Sequence, residues 1–296
     1  MSISSRLPVR TRFDIHDYDL AATLSSGQAF RWESQGNHWV SVIEGRWVRL
    51  SSTQDAIVAE TVEAAESWSW LVNYLQLQLD LSPVLAAFPN DNPMLEATKA
   101  CHGLRLLRQD PWECLASFIL SSSKQIVQIQ QIVRLLCERL GERVSVPPDH
   151  SPCFSFPTPE RLADCSEAEL RACKMGFRAA YLKKTASMIA ASEVNLASLP
   201  ASGIEDARQE LLKLPGVGRK IADCVLLFAY GFQKAFPIDV WVTKALRELY
   251  FRGRPVSQER LQSFTEAYFG PFGGYAQQYL FHYMRLRERR LTLRKP

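Results

Sequence analysis

Apolar and polar positions change their period early in the chain. From residue 13 to about residue 60 the pattern is one of strands and turns. His38-Trp39-Val40-Ser41-Val42-Ile43, the pair Glu44-Gly45, and Arg46-Trp47-Val48-Arg49-Leu50 form a hairpin signal rich in aromatic and β-branched residues. Thr53–Glu60 predicts one more strand. From Thr61 the period turns helical, through Leu77 and Leu85, and no low-complexity linker interrupts it. Beyond Pro111 the spacing predicts helices over Trp112–Ser122, Ile126–Leu140, Pro159–Lys174, Ala179–Glu193, Asp206–Lys213, Arg219–Tyr230, Val240–Phe251, Ser257–Phe269 and Gly274–Arg287. Pro147–Pro159 predicts a surface loop. The fold class is therefore α+β: a small antiparallel sheet domain over residues 1–108, then an all-helical domain over residues 109–296.

Composition narrows the class without settling it. A chain of 296 residues that is 47% hydrophobic buries a real core and has room for two domains. The net charge is only +4, so a surface that holds a polyanion must be local. Basic residues crowd the C-terminus, at Arg285, Arg287, Arg289, Arg290, Arg294 and Lys295; such a run is a solvated tail or a DNA contact, and the tail is the plainer account. Seven scattered cysteines with no C-x-x-C pair predict free thiols in a reducing compartment. Only Cys224 lies beyond residue 173, which leaves no four-cysteine cluster for an iron–sulfur centre behind the hairpin described next. No apolar run spans a bilayer and no secretory signal is evident, so a cytoplasmic, nucleoid or nuclear protein is expected. Met1–Phe13, with three arginines and no acid before Phe13, shares that bias with transit peptides, although a frayed leader explains it as well.

The chemistry concentrates between Leu214 and Asp239. Leu214-Pro215-Gly216-Val217-Gly218 is a turn between the helix Asp206–Lys213, with Leu211 and Leu212 on its apolar side, and the helix Arg219–Tyr230. Pro215 stops the first helix, and Gly216 and Gly218 permit the tight turn. Exposed amides just before a helix N-terminus suit a phosphate oxygen, so the unit reads as a helix-hairpin-helix that grips backbone without reading sequence. Lys220 stands in the first turn of the second helix. The positive end of a helix favours a neutral amine, and a neutral lysine is a nucleophile. Asp239 follows after the turn Gly231–Phe236. Each residue also has a plainer reading: Lys220 as a phosphate contact, Asp239 as the N-cap of the helix at Val240. Capping and catalysis are compatible for one Asp.

Lys220 and Asp239 at this spacing make the chain resemble the helix-hairpin-helix base-excision DNA glycosylases. Four further blocks narrow the resemblance: Gly27-Gln28-Ala29-Phe30-Arg31-Trp32, Leu104–Glu113, Met175-Gly176-Phe177-Arg178-Ala179-Ala180-Tyr181 and Gly270–Phe281. Together, over residues 13 to 285, they resemble the 8-oxoguanine DNA glycosylases of the eukaryotic type. The resemblance implies a TBP-like sheet domain before the helical domain, and a catalytic hairpin over 206–230. In that family the lysine attacks C1′ and the Asp steadies the charge that develops on the sugar; by resemblance these are Lys220 and Asp239. Gly27 would offer its carbonyl to the N7–H that 8-oxoguanine has and guanine lacks, a bond worth about 1–3 kcal/mol. Cys224 and Phe281 would sandwich the extruded base, and Gln277 would pair with its Watson–Crick edge; Gln277 and Phe281 lie four apart on one helix face. Phe177 and Arg178 would fill the hole left in the duplex. Ser123 and Lys124, with Gly216 and Gly218, would contact DNA.

Taken alone, Gly27 reads as a turn glycine, Phe281 as core and Phe177 as a loop residue. Departures from the family pattern matter too. Ser121-Ser122 is followed by Ser123-Lys124-Gln125 instead of asparagines, Gln128 stands where the family has an Arg for the orphaned cytosine, and Trp241 stands in place of a His. The expectation is a cofactor-free, monomeric enzyme that excises 8-oxoguanine and its ring-opened relative from double-stranded DNA. A cation at the hairpin carbonyls would take no part in the chemistry. The rival readings are a glycosylase for alkylated bases, in which water attacks, and a catalytically silent DNA-binding module.

Overall fold

The computed structural model describes residues 8–62, 67–122, 124–148 and 150–293. Five strands, β1 (Val9–Asp14), β2 (Glu33–Gln35), β3 (His38–Ile43), β4 (Arg46–Ser52) and β5 (Ala56–Thr61), pair antiparallel in the order β1-β5-β4-β3-β2. Glu44 and Gly45 both take positive φ, 48° and 76°, as a two-residue turn matched to strand twist requires. The pairing Ile43↔Arg46 closes it. Helix α1 (Leu20–Ser25), capped by Asp19, follows β1 in the chain and interrupts a stretch that reads as strands and turns. The expected frayed leader is corrected from Val9 onward. Thr11, Phe13 and Ile15 turn inward between exposed Arg10, Arg12 and Asp14, and β1 pairs with β5 along its whole length.

Alternation gives the sheet two covered faces. Ile43, Val48, Leu50, Ile57 and Ala59 pack with Leu20 and Leu24 of α1, with Leu71 and Leu75 of α2 (Ser69–Leu75), and with Leu107. On the other face Val40, Val42 and Trp47 meet Val144. Val144 belongs to β6 (Arg143–Val144), which pairs with β7 (Cys153–Phe154) inside the expected loop Pro147–Pro159. The helical pattern expected from Thr61 starts later, because Thr61 still pairs with Val9 in the sheet.

The remaining helices form the second and larger core. They are α3 (Ser82–Ala86), α4 (Asn92–Ala100), α5 (Pro111–Leu120), α6 (Ile126–Leu140), α7 (Pro159–Asp164), α8 (Glu167–Arg171), α9 (Arg178–Ala190), α10 (Ile204–Leu212), α11 (Arg219–Val225), α12 (Val240–Tyr250), α13 (Gln258–Tyr268) and α14 (Gly273–Leu293). Helix α5 is the spine, with every residue from Cys114 to Leu120 buried. The single helix expected over Pro159–Lys174 is two, because Ser166 and Glu169 form a capping box that starts α8 afresh. The helix expected to run unbroken to Tyr230 widens into a π turn over Leu226–Tyr230. There Phe232 N donates to Leu226 O, which leaves the Phe228 carbonyl free to accept from Gln109 N at 2.8 Å.

Gln109 ties the two cores together. Its side-chain nitrogen donates to Gln28 O at 2.7 Å, while its backbone nitrogen holds Phe228. Gln28 is fully buried and its amide is used on both sides: Nε2 donates to Thr23 O and Arg105 O, and Oε1 accepts from Leu107 N at 2.7 Å. Removing that amide strands the buried Leu107 N–H and the Arg105 carbonyl, while Thr23 O keeps the Ser26 hydroxyl. Gln28→Ala is expected to cost about 3 kcal/mol, a fall in Tm on the order of 5–10 °C by thermal melt. A shift of less than about 1 °C would show that the mesh contributes nothing.

Candidate active site

The hairpin forms as its sequence dictates. Val217 N donates to Leu214 O, and Gly216 takes φ +79° where a side chain would drive its Cβ to 2.9 Å from Tyr181 Cβ. Gly218, extended, caps α11 and accepts from Ile221 N and Ala222 N. Both glycines are exposed. A buried ion pair fastens the two helices: Arg208 Nε donates to Asp223 at 2.7 Å, and Glu205 shares the same guanidinium. Burial pushes the Asp223 carboxyl up and Arg208 opposes that shift. Arg219 turns away from the cleft to Glu266 at 2.6 Å.

Lys220 points toward the end of α5. Its Nζ donates to Ser121 Oγ at 3.2 Å and lies 5.1 Å from the centre of the Phe118 ring. Asp239 is the N-cap of α12 and accepts from Val242 N at 2.8 Å. Burial raises its carboxyl pKa above the ordinary value of 3.8, against the lowering pull of the Val242 amide, Lys220, the Trp241 amide and Arg285. Asp239 therefore caps α12, as its plainer reading expects, and it lines one cleft with Lys220.

One cleft of about 1850 Å³ gathers the base-binding and catalytic candidates. Gly27, Lys124, Lys220, Cys224, Asp239, Gln277 and Phe281 all line it. They come from four separate parts of the fold: the loop after α1, the turn between α5 and α6, the hairpin with the start of α12, and α14. Gly27 takes φ +81°, and an added Cβ would stand 3.3 Å from Phe281 Cε1 and 2.8 Å from Ile126 Cδ1. Gln278 Nε2 holds the neighbouring Ser26 carbonyl at 3.1 Å, so α14 presents Gln277 and Phe281 while its next residue anchors the glycine loop. Gln277 is buried, yet among the described residues its Oε1 has no hydrogen-bond partner. An orphaned buried amide oxygen costs free energy unless something supplies a donor, which a base edge would. Burial pushes the Cys224 thiol up to about 12, so it stays neutral and presents an apolar face.

Arg285 is a cleft residue that the sequence hides within its basic C-terminal run. Its guanidinium sits 5.4 Å from the centre of the Phe281 ring and lies against Gly27. Arg287 pairs with Glu248, so these two members of the run are not a loose tail; Arg294 and Lys295 lie outside the described residues. Ser121, Gln278 and Gln109 also escaped the sequence reading, because their roles depend on partners far along the chain.

Among the described residues, the DNA-contact candidates Phe177, Arg178, Gly216 and Gly218 do not line this cleft. Phe177 is 56% exposed and meets half-exposed Tyr181 edge to face, and Tyr181 in turn packs on Gly216. An exposed aromatic pair therefore adjoins the hairpin turn. Arg178 is turned inward: its guanidinium is 4.4 Å from the Phe177 ring, donates to the carbonyls of Ser122 and Met175, and is 3% exposed. Ser123 lies outside the described residues. Gln128, where the family places an arginine, spends its side chain as acceptor for Gln125 N at the start of α6. Among the described residues no group of His, Cys, Asp and Glu could hold a metal, and no helix is long and apolar enough to cross a membrane.

Comparison with known proteins gives the family. Residues 10–115 match the 8-oxoguanine DNA glycosylase N-terminal domain, and residues 116–268 match the HhH-GPD superfamily of base excision DNA repair proteins. A solved structure of MBOgg1 with a low-affinity DNA ligand is 32% identical, covers 95% of this chain and 96% of its own, and superposes with a TM-score of 0.89. The Clostridium acetobutylicum 8-oxoguanine glycosylase/lyase, bound to double-stranded DNA with cytosine opposite 8-oxoG, is 30% identical over 94% of this chain and 98% of its own, with a TM-score of 0.87. The N-glycosylase/DNA lyase of Saccharomyces cerevisiae is 28% identical over 88% of this chain and 82% of its own. The chain belongs to the HhH-GPD superfamily of base excision DNA repair proteins, among the 8-oxoguanine DNA glycosylases.

Proposed function

We propose that this protein is a bifunctional DNA glycosylase and abasic-site lyase that excises 8-oxoguanine from duplex DNA, with Lys220 as nucleophile and Asp239 as its electrostatic partner. The observation that carries the assignment is the convergence of Lys220, Asp239, Gly27, Gln277 and Phe281 on one cleft. Phe177 wedges the stack while the nucleotide swings out. The base enters between Cys224 and Phe281, the Gly27 carbonyl accepts its N7–H, and Gln277 meets its Watson–Crick edge. The ring-opened relative keeps an N–H at the same place and fits the same contact.

The Lys220 amine attacks C1′ as the bond to the base breaks and the base leaves with the bonding electrons. The Asp239 carboxylate offsets the positive charge on the sugar, at short range and in a partly desolvated site where that charge counts most. Loss of a proton from nitrogen and opening of the sugar ring give an imine. The imine then acidifies the adjacent C2′–H, and elimination expels the 3′ phosphate. The chemistry uses this chain's own residues throughout.

Three measurements follow from this site. Borohydride should trap wild-type enzyme covalently on an 8-oxoguanine duplex. Lys220→Gln should lose trapping and cleavage by at least about a thousandfold while duplex affinity changes less than about threefold. Excision without trapping would favour attack by water, as expected for a glycosylase of alkylated bases.

Asp239→Asn separates capping from catalysis, because Asn and Asp cap helices about equally. A carboxyl with a raised folded-state pKa binds its proton more tightly folded than unfolded. Its charge at neutral pH therefore destabilises the fold, and the neutral amide should leave Tm unchanged or higher. Excision should nevertheless fall at least about a hundredfold. Retained excision would reduce Asp239 to a cap.

With Arg178 turned inward and Gln128 occupied as a cap, little remains to read the orphaned base. Excision rates opposite C, A, G and T should therefore spread over less than about tenfold. A sharp preference for C would contradict that.

A further inference from the structure

Among the described residues Lys220 has one side-chain hydrogen-bond partner, and it comes from 99 positions away: Ser121 Oγ, at 3.2 Å. Ser121 closes α5, with its backbone nitrogen donating to Phe118 O at 3.1 Å and its hydroxyl donating to the same carbonyl at 2.6 Å. A hydroxyl has one hydrogen to give. That hydrogen is committed to Phe118, so toward Lys220 the Ser121 oxygen acts only as acceptor. The turn is held from its far side as well, since the buried Arg178 guanidinium donates to Ser122 O.

We infer that Ser121 is a positioning residue for the reaction, which aims the Lys220 amine at the sugar carbon. This rests on Lys220 being the attacking amine. A lysine nitrogen on a flexible four-carbon stem samples many directions. One N–H fixed on Ser121 Oγ, with the Phe118 ring 5.1 Å away, confines the tetrahedral nitrogen and with it the lone pair that must form the bond. Reaction rates depend steeply on such alignment, because a productive approach needs both distance and orbital direction. Ser121 itself need not touch the substrate for this. Its contribution belongs to every step in which the amine bonds to carbon, with a damaged base present or not.

The test compares Ser121→Ala, Ser121→Thr and wild type in two assays. Single-turnover excision from an 8-oxoguanine duplex reads the full reaction, and borohydride trapping on a preformed abasic duplex reads imine formation alone. Ser121→Ala should slow both by about tenfold, the kinetic equivalent of one lost hydrogen bond. Duplex affinity should stay within about twofold and Tm within about 2 °C. Ser121→Thr, which keeps the hydroxyl, should recover to within about threefold of wild type. Wild-type trapping by Ser121→Ala would overturn the inference. A loss confined to excision would also overturn it, by moving Ser121 to base recognition. So would a Tm loss above about 5 °C in Ser121→Ala, by assigning the defect to the end of α5. Failure of the wild type to be trapped at all would instead strike the assignment of Lys220.

Discussion

The site depends on a buried amide mesh that joins two cores. Gly27 sits on a loop of the sheet-bearing part, while Lys220 sits on a hairpin of the helical part. Gln28, Gln109 and Gln278 join them: Gln28 to Leu107 and Arg105, Gln109 to Gln28 and Phe228, Gln278 to Ser26. Hydrogen bonds of this kind add little net stability each, yet they are expensive to break when buried. They consequently act as a locator. A pocket that discriminates one N–H, as proposed for Gly27, cannot tolerate the slack that two independently packed cores would have. The π turn after α11 belongs to the same constraint, since the widened turn exposes the Phe228 carbonyl to Gln109.

Electrostatics set the second condition. The cleft holds Lys220 and Arg285 near the carboxylate of Asp239, which burial alone would drive toward its neutral form. Two helix-capping amides and two cations work against that tendency. The result is a carboxylate that is costly to the fold and, in the role proposed for it, offsets charge on the sugar, a trade familiar where function asks for a charge the core would refuse. Cys224, by contrast, is left neutral by burial, which suits the proposed role of a surface on which a base lies.

Much of this was legible in the sequence because it is local. The Glu44-Gly45 turn, the hairpin glycines and the bounds of α6 follow from short-range rules that the fold does not override. Gln277 and Phe281 share a face because helical spacing says so. What escaped depended on distant partners. β1 is a strand because β5, nearly fifty residues away, pairs with it. Arg285 looked like one more solvated arginine until Phe281 and Gly27 surrounded it. Ser121 is an ordinary helix end until the Lys220 amine arrives from the hairpin. The Ser166–Glu169 box was a missed local signal, written plainly in the chain.

The central claim is that one amine, Lys220, bonds to the sugar. Proteolysis and mass mapping of the borohydride-reduced protein–DNA adduct locates that bond directly. The account predicts that the deoxyribose remnant is carried by the peptide containing Lys220. A remnant on Lys124 or Lys244, which line the same cleft, would contradict it.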